Sequence, residues 1–154
     1  MSHQHQEGIV KTFVIVVVLV IACFWFFKKP QPPQIEPVTN LSSALSQAES
    51  EGKMLFLLAG REGCSNCRTL RKYIVDGDVR LPGEEFVFAD FSCDDKSMYG
   101  EFKTRFHVEG RGLPLVVVAD SYGRQFASRA GYGTAEEFNQ LIQYAMEKMN
   151  RYSY

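Results

Sequence analysis

The stretch MLFLLAGREGCSNCRTLRKYIV, residues 54–75, decides how the rest of the chain is read. Met54 to Leu58 is a short unbroken apolar run, the pattern of a strand buried on both faces. Ala59-Gly60-Arg61-Glu62-Gly63 makes a loop, and from near Cys64 to Val75 the spacing turns helical, with Leu70, Tyr73 and Ile74 inward. Cys64 and Cys67 therefore lie where a buried strand passes into a helix. A thiol at a helix N-terminus meets unpaired backbone N–H groups and the positive end of the helix dipole, and both favour thiolate. Cys67 lies one turn further in, close enough to close a disulfide and more buried. That arrangement makes Cys64 the attacking thiol and Cys67 the resolving one.

A lone C-x-x-C also occurs as half of a zinc site. The chain has four cysteines and three histidines, with no second C-x-x-C and no spaced His pair. Only Cys93 and His107 could complete a ligand set, so copper or zinc handling is kept as an alternative and no metal ligand is assigned. Four cysteines are too few for a disulfide scaffold.

Outward from this stretch the chain alternates helix and strand. Leu41–Gly52 is a helix candidate with Leu41, Ala44, Leu45 and Ala48 on one face and Gly52 as its stop. Phe86–Phe91 reads as a second strand, Lys96–Phe106 as a helix, and Pro114–Ala119 as a third strand. Asp120–Gly123 is a turn signal, and Gln125–Arg129 a short edge strand. Thr134 caps a last helix, Ala135 to about Asn150, with Glu137 as its capping-box partner. The order α-β-α-β-α-β-β-α predicts an α/β fold with a mixed sheet covered by helices on both faces.

Before this domain, residues 39–154, the composition changes twice. Residues 1–8 are a short polar tail that contains His3 and His5. Residues 9–27, IVKTFVIVVVLVIACFWFF, hold one charge, Lys11. As a helix they would span about 28 Å, one hydrocarbon core, so they read as a transmembrane helix in contact with the lipid bilayer. A buried core helix would carry a polar face. A cleaved signal peptide would end on small residues rather than on Trp25-Phe26-Phe27-Lys28-Lys29. Residues 28–38 are a Pro-rich linker, extended and semi-rigid. Flanking charges lean slightly toward a cytoplasmic C-terminus. A membrane-held dithiol is most useful where disulfides persist, and the domain is expected on the extracytoplasmic (periplasmic) side.

The net charge is −1 at pH 7. Three of the seventeen basic and two of the eighteen acidic residues precede Val38, which leaves the domain at −2. That excludes the basic surface that nucleic-acid binding needs.

The segment from Ala44 to Tyr144 resembles the thioredoxin superfamily, and within it the membrane-anchored thioredoxin-like domains such as the C-terminal domain of DsbD-type thiol reductases. The resemblance rests on Cys64-Ser65-Asn66-Cys67 at the strand-to-helix turn, Phe88-Ala89-Asp90 on the next strand, Gly112-Leu113-Pro114 before a Val-rich strand, and Gly131 ahead of the last helix. It implies a thiol–disulfide oxidoreductase, expected to be reductase-like, that needs no cofactor. Its partners would be protein thiol or disulfide substrates and a redox partner protein. It also implies that Leu113–Pro114 is a cis peptide facing the dithiol, with Leu113 binding the substrate backbone and Pro114 shielding the thiols from metals.

The chain departs from the family pattern at three places. Gly63 stands where a Trp usually precedes the first Cys, and Leu58 where a buried Asp serves the second thiol. Two residues, Glu109-Gly110, are inserted before Gly112. Those losses motivate a second reading, an interaction module of a membrane complex with weak or no catalysis. Arg61 and Arg68 are auxiliary candidates that would favour a Cys64 thiolate against Glu62, and Cys93 is a candidate auxiliary thiol.

Overall fold

The computed structural model describes residues 35–152. The polar tail 1–8, the apolar segment 9–27 and the Pro-rich residues 28–34 lie outside the described residues. Among those described, no helix is long and apolar enough to cross a membrane.

The elements run α1 (Leu41–Glu51), β1 (Met54–Gly60), α2 (Ser65–Asp76), β2 (Phe86–Ser92), α3 (Lys96–Arg105), β3 (Leu115–Ala119), β4 (Gln125–Ala130) and α4 (Ala135–Tyr152). The sheet order is β2-β1-β3-β4. β1 and β2 are parallel, while β3 runs antiparallel to both β1 and β4. The apolar run continues two residues past Leu58, because Ala59 and Gly60 pair with Phe91 and Ser92 of β2. Every residue of β1 is buried, as expected of a central strand.

Strand alternation divides the core into two layers. Phe56, Leu58, Phe86, Phe88, Val116 and Val118 meet Leu70 and Ile74 of α2 and Phe138, Ile142 and Ala145 of α4. On the other face Leu55, Leu57, Val87, Phe91, Val117 and Cys93 meet α1 and Phe102 of α3. The fold also takes in residues that composition places in the linker. Val38 forms a parallel bridge with Ala89, and Ile35 packs against the α2–α4 layer.

Capping sets the helix that matters most. Cys64, extended at φ −81° and ψ 114°, is the N-cap of α2, and Gly77 closes the helix in the left-handed region at φ 78°. Thr134 and Glu137 form the expected capping box: the Thr134 N–H donates to Glu137 Oε2 at 2.8 Å and the Glu137 N–H to Thr134 Oγ1 at 3.3 Å.

Candidate active site

β1 and α2 meet at the C-terminal end of the parallel strands, where a ligand or reacting group is usually held in such sheets. Cys64 and Cys67 are joined as a disulfide across the first turn of α2, with Cα atoms 5.3 Å apart. The Cys67 N–H donates to Cys64 Sγ at 3.2 Å, so the free backbone donor of the helix start is aimed at the sulfur that would carry charge. Cys64 is half-buried and Cys67 fully buried. This difference in access supports attack at Cys64 and resolution by Cys67.

The floor beneath Cys67 is apolar. A Cβ at Gly60 would stand 3.0 Å from Cys67 Sγ and 3.1 Å from Leu58 Cδ2, so Gly60, Leu58 and Cys67 converge on one point. Leu58 is fully buried and offers no proton carrier there. The nearest acid in register is Asp90, the Leu58 partner on β2, and it is held by Arg71. Arg71 Nε and Nη2 donate to Asp90 Oδ2 and Oδ1 at 2.6 and 2.8 Å, a two-pronged pair that raises the Arg71 pKa. Sequence reasoning missed Arg71; its place one position past Leu70, beside the inward stripe of α2, was the available signal.

The loop before β3 reaches the first turn of α2. The Leu113–Pro114 peptide is cis, Pro114 is buried and Leu113 half-buried. The Gly131 N–H donates to Pro114 O at 2.9 Å, and Gly112, at φ 95°, passes against Gly131. Asn66 Nδ2 donates to Leu113 O at 3.4 Å, which ties α2 to this loop. The first turn of α2, which carries Cys64 and Cys67, is thus joined to the Leu113–Pro114 loop through Asn66, a residue of the motif to which sequence reading assigns no role of its own.

The auxiliary candidates sit further out. Arg61 pairs with Asp94 at 3.0 Å, and Arg68 donates to Glu62 O at 3.2 Å, so the guanidinium contacts of both go to groups other than the cysteine sulfurs. Cys93 is at the same end of the sheet as the dithiol, where its N–H donates to Gly60 O at 2.7 Å, but its side chain belongs to the opposite layer. Burial pushes its thiol pKa up, offset in part by Arg61. His107 is exposed beside Glu109 at 3.8 Å and does not join the dithiol. Among the described residues no three His, Cys, Asp or Glu side chains form a metal-holding group.

No family model matches the chain, and no curated protein sequence matches it. Solved structures do. A candidate disulphide-isomerase from Bacteroides thetaiotaomicron superposes with a TM-score of 0.58 at 22% identity, over 73% of this chain and 93% of that one. Thioredoxin f from spinach chloroplast gives 0.55 at 14%, over 77% and 98%. A mutant thioredoxin from Halobacterium salinarum gives 0.54 at 15%, over 73% and 93%.

The chain has the thioredoxin fold.

In this thioredoxin fold the chain outside β2 contributes, among the described residues, the one Val38 bridge. The dithiol occupies the turn between β1 and α2, and Asn66 in the first turn of α2 touches the carbonyl of Leu113, which precedes the cis proline.

Proposed function

We propose that the chain is a membrane-tethered thiol–disulfide oxidoreductase that acts on protein dithiols and disulfides, in the reducing direction, on the extracytoplasmic side. The observation that carries this reading is the Cys64–Cys67 pair itself: one reachable and one sealed sulfur across a helix N-terminus, joined through Asn66 to the cis Leu113–Pro114 peptide. The tether and its side of the membrane rest on residues 9–27 and on the chemistry of disulfides. The DsbD-type resemblance supports the direction of electron flow.

In that reaction Cys64 thiolate attacks one sulfur of a substrate disulfide. A Cys64–substrate bond forms, the substrate S–S bond breaks, and the departing thiolate takes up a proton. Cys67 then loses its proton and attacks Cys64 Sγ, which closes the Cys64–Cys67 disulfide and releases the second substrate thiol. Two electrons pass to the substrate, and a partner dithiol must return them. With Leu58 beneath Cys67, the proton of Cys67 goes to water or to the departing substrate thiolate rather than to a buried carboxylate.

The test is a titration of the protein in glutathione buffers, with thiols counted by alkylation and mass and Cys93→Ser as the control. A reversible two-electron step at Cys64–Cys67 is expected. Cys64→Ala should abolish turnover, and Cys67→Ala should accumulate mixed disulfides. Turnover retained by Cys64→Ala would end this mechanism. The absence of Trp at 63 and Asp at 58 favours the second reading, an interaction module, which predicts that a Cys64→Ala/Cys67→Ala chain still assembles with its partner and supports function.

A further inference from the structure

Leu113 is positioned on both sides by committed groups. Pro114 O accepts from Gly131, and Gly110 and Gly112 hold the approach to it at φ 107° and 95°. Its carbonyl is left aimed at the first turn of α2, where Asn66 Nδ2 meets it at 3.4 Å. Only the amide nitrogen of Asn66 can face a carbonyl, since its oxygen would be repelled. The contact is longer than the usual 2.9–3.0 Å of an N–H···O bond, so it satisfies a half-buried acceptor without holding it tightly. The Leu113 N–H has no protein acceptor among the described residues. One residue beside the dithiol thus presents an open donor and a lightly covered acceptor, the two groups by which an extended peptide adds itself to a strand edge.

We propose that Asn66 is a positioning residue that covers the Leu113 carbonyl in the free protein and yields it to the backbone N–H of an extended polypeptide substrate. This deepens the oxidoreductase reading and rests on it. The Asn66 amide stands in for the missing strand donor, so every docking polypeptide must displace it. A small thiol without a peptide backbone has nothing to offer that carbonyl and does not compete with Asn66. The device sorts substrates: it sets the concentration at which polypeptides occupy the site and leaves low-molecular-weight thiols outside its control.

The experiment uses the oxidised full-length chain in detergent micelles, the state of the dithiol seen here. It is reduced in turn by an uncharged extended peptide carrying two thiols and by dithiothreitol, with the Cys64–Cys67 disulfide followed by alkylation and mass. The quantity read is the ratio of peptide to dithiothreitol efficiency, which cancels any change in the reactivity of the dithiol itself. Asn66→Ala should raise this ratio about two- to fourfold, the low end of the span of one net hydrogen bond, through a lower half-saturating peptide concentration rather than a higher limiting rate. Alanine is the better helix former at this half-buried position. Asn66→Asp, of the same shape without the donor, should move the ratio the same way, and Asn66→Gln should bring it back toward the parent value. A ratio unmoved or lowered in Asn66→Ala, or equal changes with both reductants, would overturn the role of Asn66 and leave the oxidoreductase standing. Failure of both reductants to open the Cys64–Cys67 bond reversibly would remove the oxidoreductase reading, and this proposal with it.

Discussion

A methyl group on Gly60 would stand 3.0 Å from Cys67 Sγ, 3.1 Å from Leu58 Cδ2 and 3.2 Å from Cys67 Cβ. None of these neighbours can swing aside: Leu58 is sealed in the core and the Cys67 sulfur is bonded to Cys64. Gly60→Ala should therefore destabilise the fold by about 1–3 kcal/mol, the usual cost of overpacking, as measured by urea unfolding. A variant as stable as the parent would mean that the space behind the dithiol is not close-packed. At this scale the site was partly legible in the sequence. Cys64 and Cys67 could be named from the strand and helix signals on either side of them, whereas Leu58 and Pro114 drew attention only through the thioredoxin resemblance. Strand parity would also have placed Cys93, since residues 87, 89 and 91 face away from α2 and 93 continues that series. The Asn66–Leu113 and Arg71–Asp90 contacts were not legible, because they join an α2 side chain to a backbone carbonyl 47 residues away and to a carboxylate 19 residues away, and both meetings depend on how α2 lies across the sheet.

The element scale is where sequence and structure agree most closely, and capping is the reason. Gly52 and the Thr134–Glu137 box mark helix ends through chemistry local to a few residues. Strand ends carry no such marker. Gly60 belongs to β1 only because Ser92 is there to pair with it, and β3 begins at Leu115 rather than at Pro114. The capping box makes a prediction with a definite sign. The Thr134 backbone N–H, and then Arg129, hold the Glu137 carboxyl below its ordinary value of 4.5. A carboxylate with a depressed folded-state pKa contributes stability that is fully present above the unfolded value and is lost as pH falls through the folded one. The stability difference between the parent and Glu137→Gln should therefore be constant above about pH 5 and should shrink steadily below pH 4.5. Unfolding curves collected across that range would show it. A difference independent of pH would mean that the Glu137 charge contributes nothing to the start of α4.

For the molecule as a whole, the sheet order β2-β1-β3-β4 leaves β2 and β4 as edges, and each is treated differently. On β4, Lys148 Nζ donates to Phe126 O at 3.4 Å, and Gln125 and Ser128 donate to the His107 carbonyl. The β2 edge is covered by the chain itself. The Val38 N–H donates to Phe88 O at 2.8 Å, and the Asp90 N–H donates to Val38 O at 3.1 Å. These two bonds lie beside Asp90 and its Arg71 partner, so the segment that leads into the domain also covers the strand that carries this ion pair. Composition hid this, because Pro37 and the prolines before it read as a spacer and a single bridge has no periodicity to detect. Val38→Pro removes the donor to Phe88 O and strands that carbonyl at the sheet edge. It should lower the unfolding free energy by about 1–3 kcal/mol. Amide exchange locates the loss: the Asp90 N–H should exchange far faster than in the parent, while Leu55 to Ala59, paired on both sides at the centre of the sheet, should lose only what global stability loses. An Asp90 amide as protected in Val38→Pro as in the parent would show that the bridge does not hold the edge, and that the folded unit begins at α1.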